Sequence, residues 1–231
     1  NINGAMNVID AALDNNVKKV IALSTDKASS PTNLYGATKL ASDKLFIASN
    51  SYVGNKDIRF AIVRYGNVMG SRGSVIPFFL SEAIKGTLKI THEAMTRFMI
   101  DLNDAVKMVW HALKDTIGGE IYVKKCPSMK IVEIADVISP EANKEIIGIR
   151  PGEKLHEQMI GYDDAPYTYE YDNYYKILPS IYSWSEDPKR INLGKLVPNN
   201  FSYTSDNNKE WMTKKELSNW IEKNKNIIYK I

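Results

Sequence analysis

The chain has 231 residues, with 30 basic and 27 acidic side chains and a net charge of +3. That length suits one ordinary domain with a smaller appended lobe, and 44% hydrophobic against 25% charged residues describes neither a disordered nor a membrane-spanning protein. Balanced charge without a basic block argues against a nucleic-acid partner, and a single cysteine, Cys126, excludes an internal disulfide and fits a reducing compartment. No apolar run reaches membrane length, so a cytoplasmic location without a membrane partner is expected.

The chain opens on a helical period, with Ile2, Ala5, Met6, Ile9, Ala12 and Leu13 on one face. An apolar run from Val17 to Leu23 predicts a buried parallel strand. It delivers Ser24-Thr25-Asp26-Lys27 to the carboxyl end of the sheet, where open α/β sheets bind ligands. After a loop with Pro31, Thr32 or Asn33 can cap a second helix. Tyr35 and Lys39 then sit one turn apart on one face. An ammonium beside a phenol favours the phenolate, which suits a general base. Ala37, Leu40, Ala41, Leu45 and Ala48 form the expected core-facing stripe of that helix.

Ile58 to Tyr65 reads as a central strand ending in Gly66-Asn67-Val68-Met69-Gly70-Ser71-Arg72-Gly73-Ser74-Val75-Ile76. Its glycines let backbone N–H groups approach a ligand, Arg72 suits a forked phosphate contact, and Asn67 can donate an amide hydrogen bond. A helix is expected over 76–85, and strands over 88–91 and 95–99. Arg97, on the second strand, suits either a ligand contact or a structural salt bridge. A helix over 101–115 is expected to turn Val106, Val109, Trp110 and Leu113 inward. A strand over 120–124, a helix over 130–138 and a strand over 145–149 follow. The last leads into Arg150-Pro151-Gly152-Glu153, read as opening a helix. There the arginine can grip a phosphate and the acid can accept from two ribose hydroxyls. A tyrosine-rich strand region over 167–179 and a final helix with Trp220 and Ile221 packed inward close the chain. His92, His111 and His156 have no ligand spacing, so no metal site is expected.

Ser24-Thr25-Asp26-Lys27-Ala28 followed by Pro31-Thr32-Asn33 and Tyr35-Gly36-Ala37-Thr38-Lys39 resembles the extended short-chain dehydrogenase/reductase superfamily. Within it, the stretch is similar to the inverting UDP-N-acetylglucosamine 4,6-dehydratases of the pseudaminic-acid pathway. The segments Arg64–Ser74, Met95-Thr96-Arg97-Phe98 and Arg150–Glu153 and the carboxyl end carry the same resemblance, so it covers essentially the whole chain.

The resemblance implies an α/β fold with a Rossmann-like parallel sheet, of which residues 1–75 are the C-terminal half. Residues 76–231 would form mostly a smaller α/β substrate-binding lobe, with the chain crossing back between lobes. No Gly-x-Gly-x-x-Gly occurs, which implies that the family's dinucleotide loop lies upstream. The implied activity is a hydro-lyase reaction that depends on NADP, with NAD not excluded. UDP-N-acetylglucosamine is oxidised at carbon 4, loses water across carbons 5 and 6, and regains hydride at carbon 6. By resemblance, Tyr35 is the base at the carbon 4 hydroxyl and Thr25 bonds the same oxygen. Asp26 is the acid at the carbon 6 hydroxyl, and Lys27 the base at carbon 5. Tyr35, Lys39 and Val68 would hold the cofactor, while Asn67, Arg72, Gly73, Ser74, Val75, Ile76, Thr91, Arg97, Arg150 and Glu153 would hold the UDP-sugar. Lysine at position 27, where retaining relatives carry glutamate, implies inversion at carbon 5. A homo-oligomer, in the form of a hexamer, is also implied. Competing readings are a retaining dehydratase, a UDP-sugar 4-epimerase, and a non-catalytic UDP-sugar-binding fragment.

Overall fold

A computed structural model describes residues 1–181 and 183–228. The chain divides into two compact units, each assembled from three segments. The first comprises residues 1–65, 103–125 and 158–203, and the second 66–102, 126–157 and 204–231.

The first unit is built on a six-stranded sheet in the order Lys19–Thr25, Arg59–Tyr65, Ile121–Lys124, Tyr174–Ile177, Thr168–Glu170 and Lys195–Leu196. The first three strands are parallel and the remainder antiparallel, so the sheet is Rossmann-like at one side and a meander at the other. Phe60, Ala61, Ile62 and Val63 are fully buried, as the apolar run requires of a strand with neighbours on both sides. Lys19–Thr25 is only half-buried. Its one strand partner among the described residues is Arg59–Tyr65, and Leu23 stays 50% exposed.

Two helices of this unit turn a face other than the expected one to the sheet. Leu34–Ser49 buries Gly36, Ser42, Asp43, Phe46 and Ser49, whereas Ala37 and Ala48 are exposed and Leu40, Ala41 and Leu45 half-buried. Two of the polar residues on the buried face, Asp43 and Ser49, are hydrogen-bonded within the unit. Ser24 Oγ donates to Asp43 Oδ2 at 2.6 Å, and Ser49 Oγ donates to Leu45 O at 2.7 Å. Leu102–Asp115 buries Ala105, Met108 and Ala112, the last two in one cluster with Ala61, Val63 and Tyr122. Val106 is 45% and Trp110 59% exposed, while Val109 packs against that cluster as expected and Leu113 is half-buried. Alanines at the contact let the helix approach the sheet closely, and the Tyr122 ring fills the space between.

The second unit has the helices Val75–Ala83, Ile131–Ile138 and Lys214–Ile228 around short strand pairs. Thr96–Ile100, buried along its whole length, pairs parallel with Asn67–Val68 and antiparallel with Ser128–Lys130. Thr87–Ile90 pairs parallel with Asn143–Ile146. The core joins Ile76, Phe79, Leu88, Ile90, Met95, Met99, Met129, Ile134 and Leu217, with Trp220 and Ile221 packed against it.

No helix begins at Glu153. The Glu153 N–H donates to the Arg150 carbonyl at 3.0 Å, closing a four-residue turn. Pro151 fills its second position and Gly152, at φ +77°, its third, which is the chemistry of a type II turn. Proline therefore serves the turn here and not the first position of a helix.

Candidate active site

In the first unit the candidate groups are assembled where the strand Lys19–Thr25 gives way to a 3₁₀ turn over Asp26–Ala28. Thr25 Oγ1 donates to Asp26 Oδ1 at 2.8 Å and accepts weakly from the Lys27 N–H at 3.4 Å. Lys27 Nζ donates to the same Asp26 Oδ1 at 3.0 Å. Asp26 is 1% exposed, and its Oδ2 has no hydrogen-bond partner among the described residues. A buried carboxylate oxygen left open in this way is costly unless something else completes it.

The helix carrying Tyr35 is pinned to the same place by four devices. Asn33 caps it, its Oδ1 accepting from the Gly36 N–H at 2.9 Å. Gly36 lies so close to the turn that a Cβ there would stand 2.5 Å from the Lys27 carbonyl oxygen and 2.9 Å from Pro31 Cβ. Lys39 Nζ donates to the Leu23 carbonyl at 2.7 Å. Asp43, one turn further along, takes Ser24 as described and also accepts from Arg64 Nη2 at 3.3 Å. Arg64 is buried, pairs in register with Ser24, and donates from Nη1 to the Met159 carbonyl at 2.7 Å. Tyr35 itself is 52% exposed. The structure thus brings Thr25, Asp26, Lys27, Tyr35 and Lys39 to one end of one sheet.

The second unit holds a cavity of about 290 Å³ lined by Asn67, Gly73, Val75, Thr91, Arg97, Arg150 and Glu153, all singled out from sequence. Asn67 Oδ1 and Ser74 Oγ are buried with no hydrogen-bond partner among the described residues. Ser74 precedes the helix Val75–Ala83, and Gly73 takes φ +72°. Arg72 is exposed, and Val68 is half-buried in its short strand. Ile76 is not brought to the cavity: it is fully buried in the core beneath the helix. Lys89, Phe78, Met95 and Ile131 also line the wall and were not anticipated. Lys89 was findable, because Leu88 and Ile90 point inward and the strand period sends Lys89 and Thr91 to the other face. Ser24, Gly36, Asp43 and Arg64 carry no such signal, since their roles depend on contacts distant in sequence. No group of residues that could hold a metal ion, and no helix long and apolar enough to cross a membrane, occurs among the described residues.

A family profile described as "Polysaccharide biosynthesis protein" matches residues 1–179. The chain is 55% identical over 224 residues to a Campylobacter jejuni protein named UDP-N-acetylglucosamine 4,6-dehydratase (inverting), covering 94% of this chain and 67% of that one. It is 39% identical over 182 residues to a Rickettsia canadensis protein named UDP-glucose 4-epimerase, covering 77% of this chain and 53% of that one. Among solved structures it is similar to Pen from Bacillus thuringiensis, with a TM-score of 0.84 and 36% identity, covering 98% of this chain and 68% of that one. The chain therefore spans about two thirds of the length of the Campylobacter and Bacillus proteins. On the profile match and the 55% identity together, the chain belongs to the polysaccharide biosynthesis protein family.

Proposed function

We infer that this protein is an inverting UDP-N-acetylglucosamine 4,6-dehydratase, with its acid–base groups in the first unit and its nucleotide-sugar contacts in the second. The observation that carries the reading is the Thr25–Asp26–Lys27 cluster beside the Tyr35 helix, on a chain 55% identical to a protein of that name. Elimination needs an acid at the leaving hydroxyl and a base at carbon 5. At rest the pair is an ammonium and a carboxylate sharing one hydrogen bond at 3.0 Å. Moving that proton from Lys27 Nζ to Asp26 Oδ1 leaves a free amine and a carboxylic acid, which are the base and acid required. The Thr25 hydroxyl, beside them, suits the carbon 4 oxygen.

Tyr35 and Lys39 fit a nicotinamide dinucleotide. Lys39 spends one N–H on the Leu23 carbonyl and keeps two donors for a ribose diol, and the Tyr35 phenol is open. Such a cofactor, when bound, supplies the hydride acceptor and donor at carbon 4 and carbon 6. We take NADP as the dinucleotide, a homo-oligomer as the assembly, the cytoplasm as the location and pseudaminic-acid synthesis as the pathway. In the second unit, Asn67, Arg72, Gly73, Ser74, Thr91, Arg150 and Glu153 are assigned to the UDP-sugar. Asn67 Oδ1 and Ser74 Oγ, buried without hydrogen-bond partners among the described residues, support a ligand that donates to them. A 4-epimerase needs neither Asp26 nor Lys27, which weighs against the epimerase reading despite the 39% relative.

The test is proton NMR of UDP-N-acetylglucosamine with NADP in deuterated water, using the chain alone and the chain joined to the third of the Campylobacter sequence it does not match. The joined protein is expected to yield a carbon 6 methyl signal, deuterium at carbon 5 and L-arabino couplings. D-xylo couplings would remove inversion, and UDP-N-acetylgalactosamine without a methyl signal would make the protein an epimerase.

A further inference from the structure

We propose that Arg97 is a positioning residue that fixes the Glu153 carboxylate and thereby sets selectivity for a ribonucleotide over a 2′-deoxyribonucleotide. This rests on the reading that Glu153 receives the ribose hydroxyls of a uridine nucleotide. Arg97 rises from Thr96–Ile100, a strand buried along its whole length and paired on both sides, and is itself 7% exposed. A guanidinium has five N–H donors; three hydrogen-bond to backbone carbonyls and the other two face carboxylates in ion pairs. Nη1 donates to the Thr96 carbonyl at 2.7 Å and the Leu155 carbonyl at 3.1 Å. Nη2 donates to the Lys154 carbonyl at 3.1 Å and stands 3.6 Å from Glu153 Oε1. Nε stands 3.6 Å from Glu157 Oε1. Three donors are spent on backbone carbonyls and the other two N–H groups face carboxylates, which sets the guanidinium toward the loop although Arg97 lines the cavity.

What the guanidinium does instead is tie the Arg150–Glu157 loop to the rigid strand. Glu153 is buttressed at both oxygens, Oε1 by Arg97 and Oε2 by the Arg150 N–H at 3.4 Å. Each oxygen keeps a lone pair for a hydroxyl, so the carboxylate presents two acceptors at a fixed spacing to a vicinal diol. A 2′-deoxyribose offers only one partner, and the second oxygen loses the hydroxyl it is positioned to receive. Without Arg97 the carboxylate is free to turn toward water, and the penalty for the missing hydroxyl disappears.

Calorimetric titration of this chain with UDP, 2′-deoxy-UDP and uridine tests the proposal. The unmodified chain is expected to prefer UDP over 2′-deoxy-UDP by about tenfold or more, the usual loss when a charged group forfeits a hydrogen bond. Arg97→Met is expected to bring that ratio close to one while UDP keeps its advantage over uridine. Arg97→Lys, which preserves the charge but not the fork, is expected to restore only part of the ratio. Glu157→Gln, acting on the Nε side, is expected to lower the ratio as well, and together with Arg97→Lys it carries the test should Arg97→Met not fold. A ratio unchanged in the folded variants overturns the proposal. Loss of the UDP-over-uridine advantage with the ribose ratio intact also overturns it, by making Arg97 a direct phosphate ligand. An unmodified chain that binds no UDP, or does not distinguish the two sugars, overturns instead the assignment of Glu153.

Discussion

Gly36 shows how one missing methyl group places a catalytic helix. The first turn of Leu34–Ser49 rests on the Lys27 carbonyl, and any Cβ at position 36 would enter that oxygen and Pro31. Backbone cannot yield as a flexible side chain can, so Gly36→Ala must lift the helix or shift the Asp26–Ala28 turn. Tyr35 is the neighbouring residue and Lys27 the one struck, so the proposed phenol base and carbon 5 base move apart. We expect the folded variant to lose about 100-fold in turnover, the scale of a 1 Å misplacement, at a stability cost of about 1–3 kcal/mol. Its affinity for UDP should stay unchanged, because Gly36 belongs to the first unit and the proposed nucleotide contacts to the second. Steady-state kinetics alongside UDP titration separate the two quantities, and unchanged turnover would detach the helix position from the chemistry. The residues proposed as reactive stand out in the sequence, since Thr25-Asp26-Lys27 and Tyr35-x-x-x-Lys39 are each short local motifs. The residues that hold them do not. Ser24, Asp43 and Arg64 form a buried cluster only after a helix and two strands have met.

At the scale of elements, existence and type of most helices and strands followed from apolar period, whereas the buried face of two helices did not. Period finding assigns the core to the largest apolar side chains. Leu102–Asp115 departs from that in part, with Ala105, Met108 and Ala112 buried, Val109 packed beside them and Trp110 outward. Close approach to a sheet favours small residues at the contact, and the volume is then supplied by Tyr122 from the strand. Truncation distinguishes the two faces. Trp110→Ala is expected to change unfolding free energy by no more than about 0.5 kcal/mol, as for an ordinary surface position. Met108→Ala, from the buried face, is expected to cost about 2–5 kcal/mol. Urea unfolding of the two variants checks this, and a large loss for Trp110→Ala would mean that the helix presents its other face. The Arg150–Glu153 segment errs for a related reason. Proline and an acid at a strand end suit a helix start and a turn alike, and Gly152 at positive φ settles it for the turn.

For the molecule as a whole, the alternation of the two units along the chain cannot be read from composition, because neither unit is set off by a linker or a change in residue usage. What the assembled fold adds is a pH response centred on the first unit. Lys176, fully buried, donates to Asp115 Oδ2 at 2.6 Å, and the Tyr122 hydroxyl donates to the same oxygen at 2.7 Å. Burial pushes the Asp115 carboxyl upward, but the hydrogen bonds from Lys176 and Tyr122 outweigh it and hold it below the ordinary value of 3.8. Burial also pushes His111, whose ring lies 4.7 Å from that of Tyr174, below 6.5. Both groups bind protons more readily in the unfolded chain than in the folded one, so both make stability rise with pH. The His111 share is complete above about 6.5 and is lost as pH falls toward its lowered folded value. The Asp115 share is complete above about 3.8 and is lost only below that. The midpoint of urea unfolding should therefore decline in two stages between neutral and strongly acidic pH. His111→Gln, which has no titrating group, should flatten the first stage and leave the second in place. Asp115→Asn removes the counterion of a buried ammonium and should lower the midpoint above about pH 3.8, by about 3–5 kcal/mol in free energy, with the difference shrinking at more acidic pH. A His111→Gln profile parallel to that of the unmodified protein would show that the imidazole titrates alike in both states, and would assign the loss between pH 6.5 and 4 to other groups.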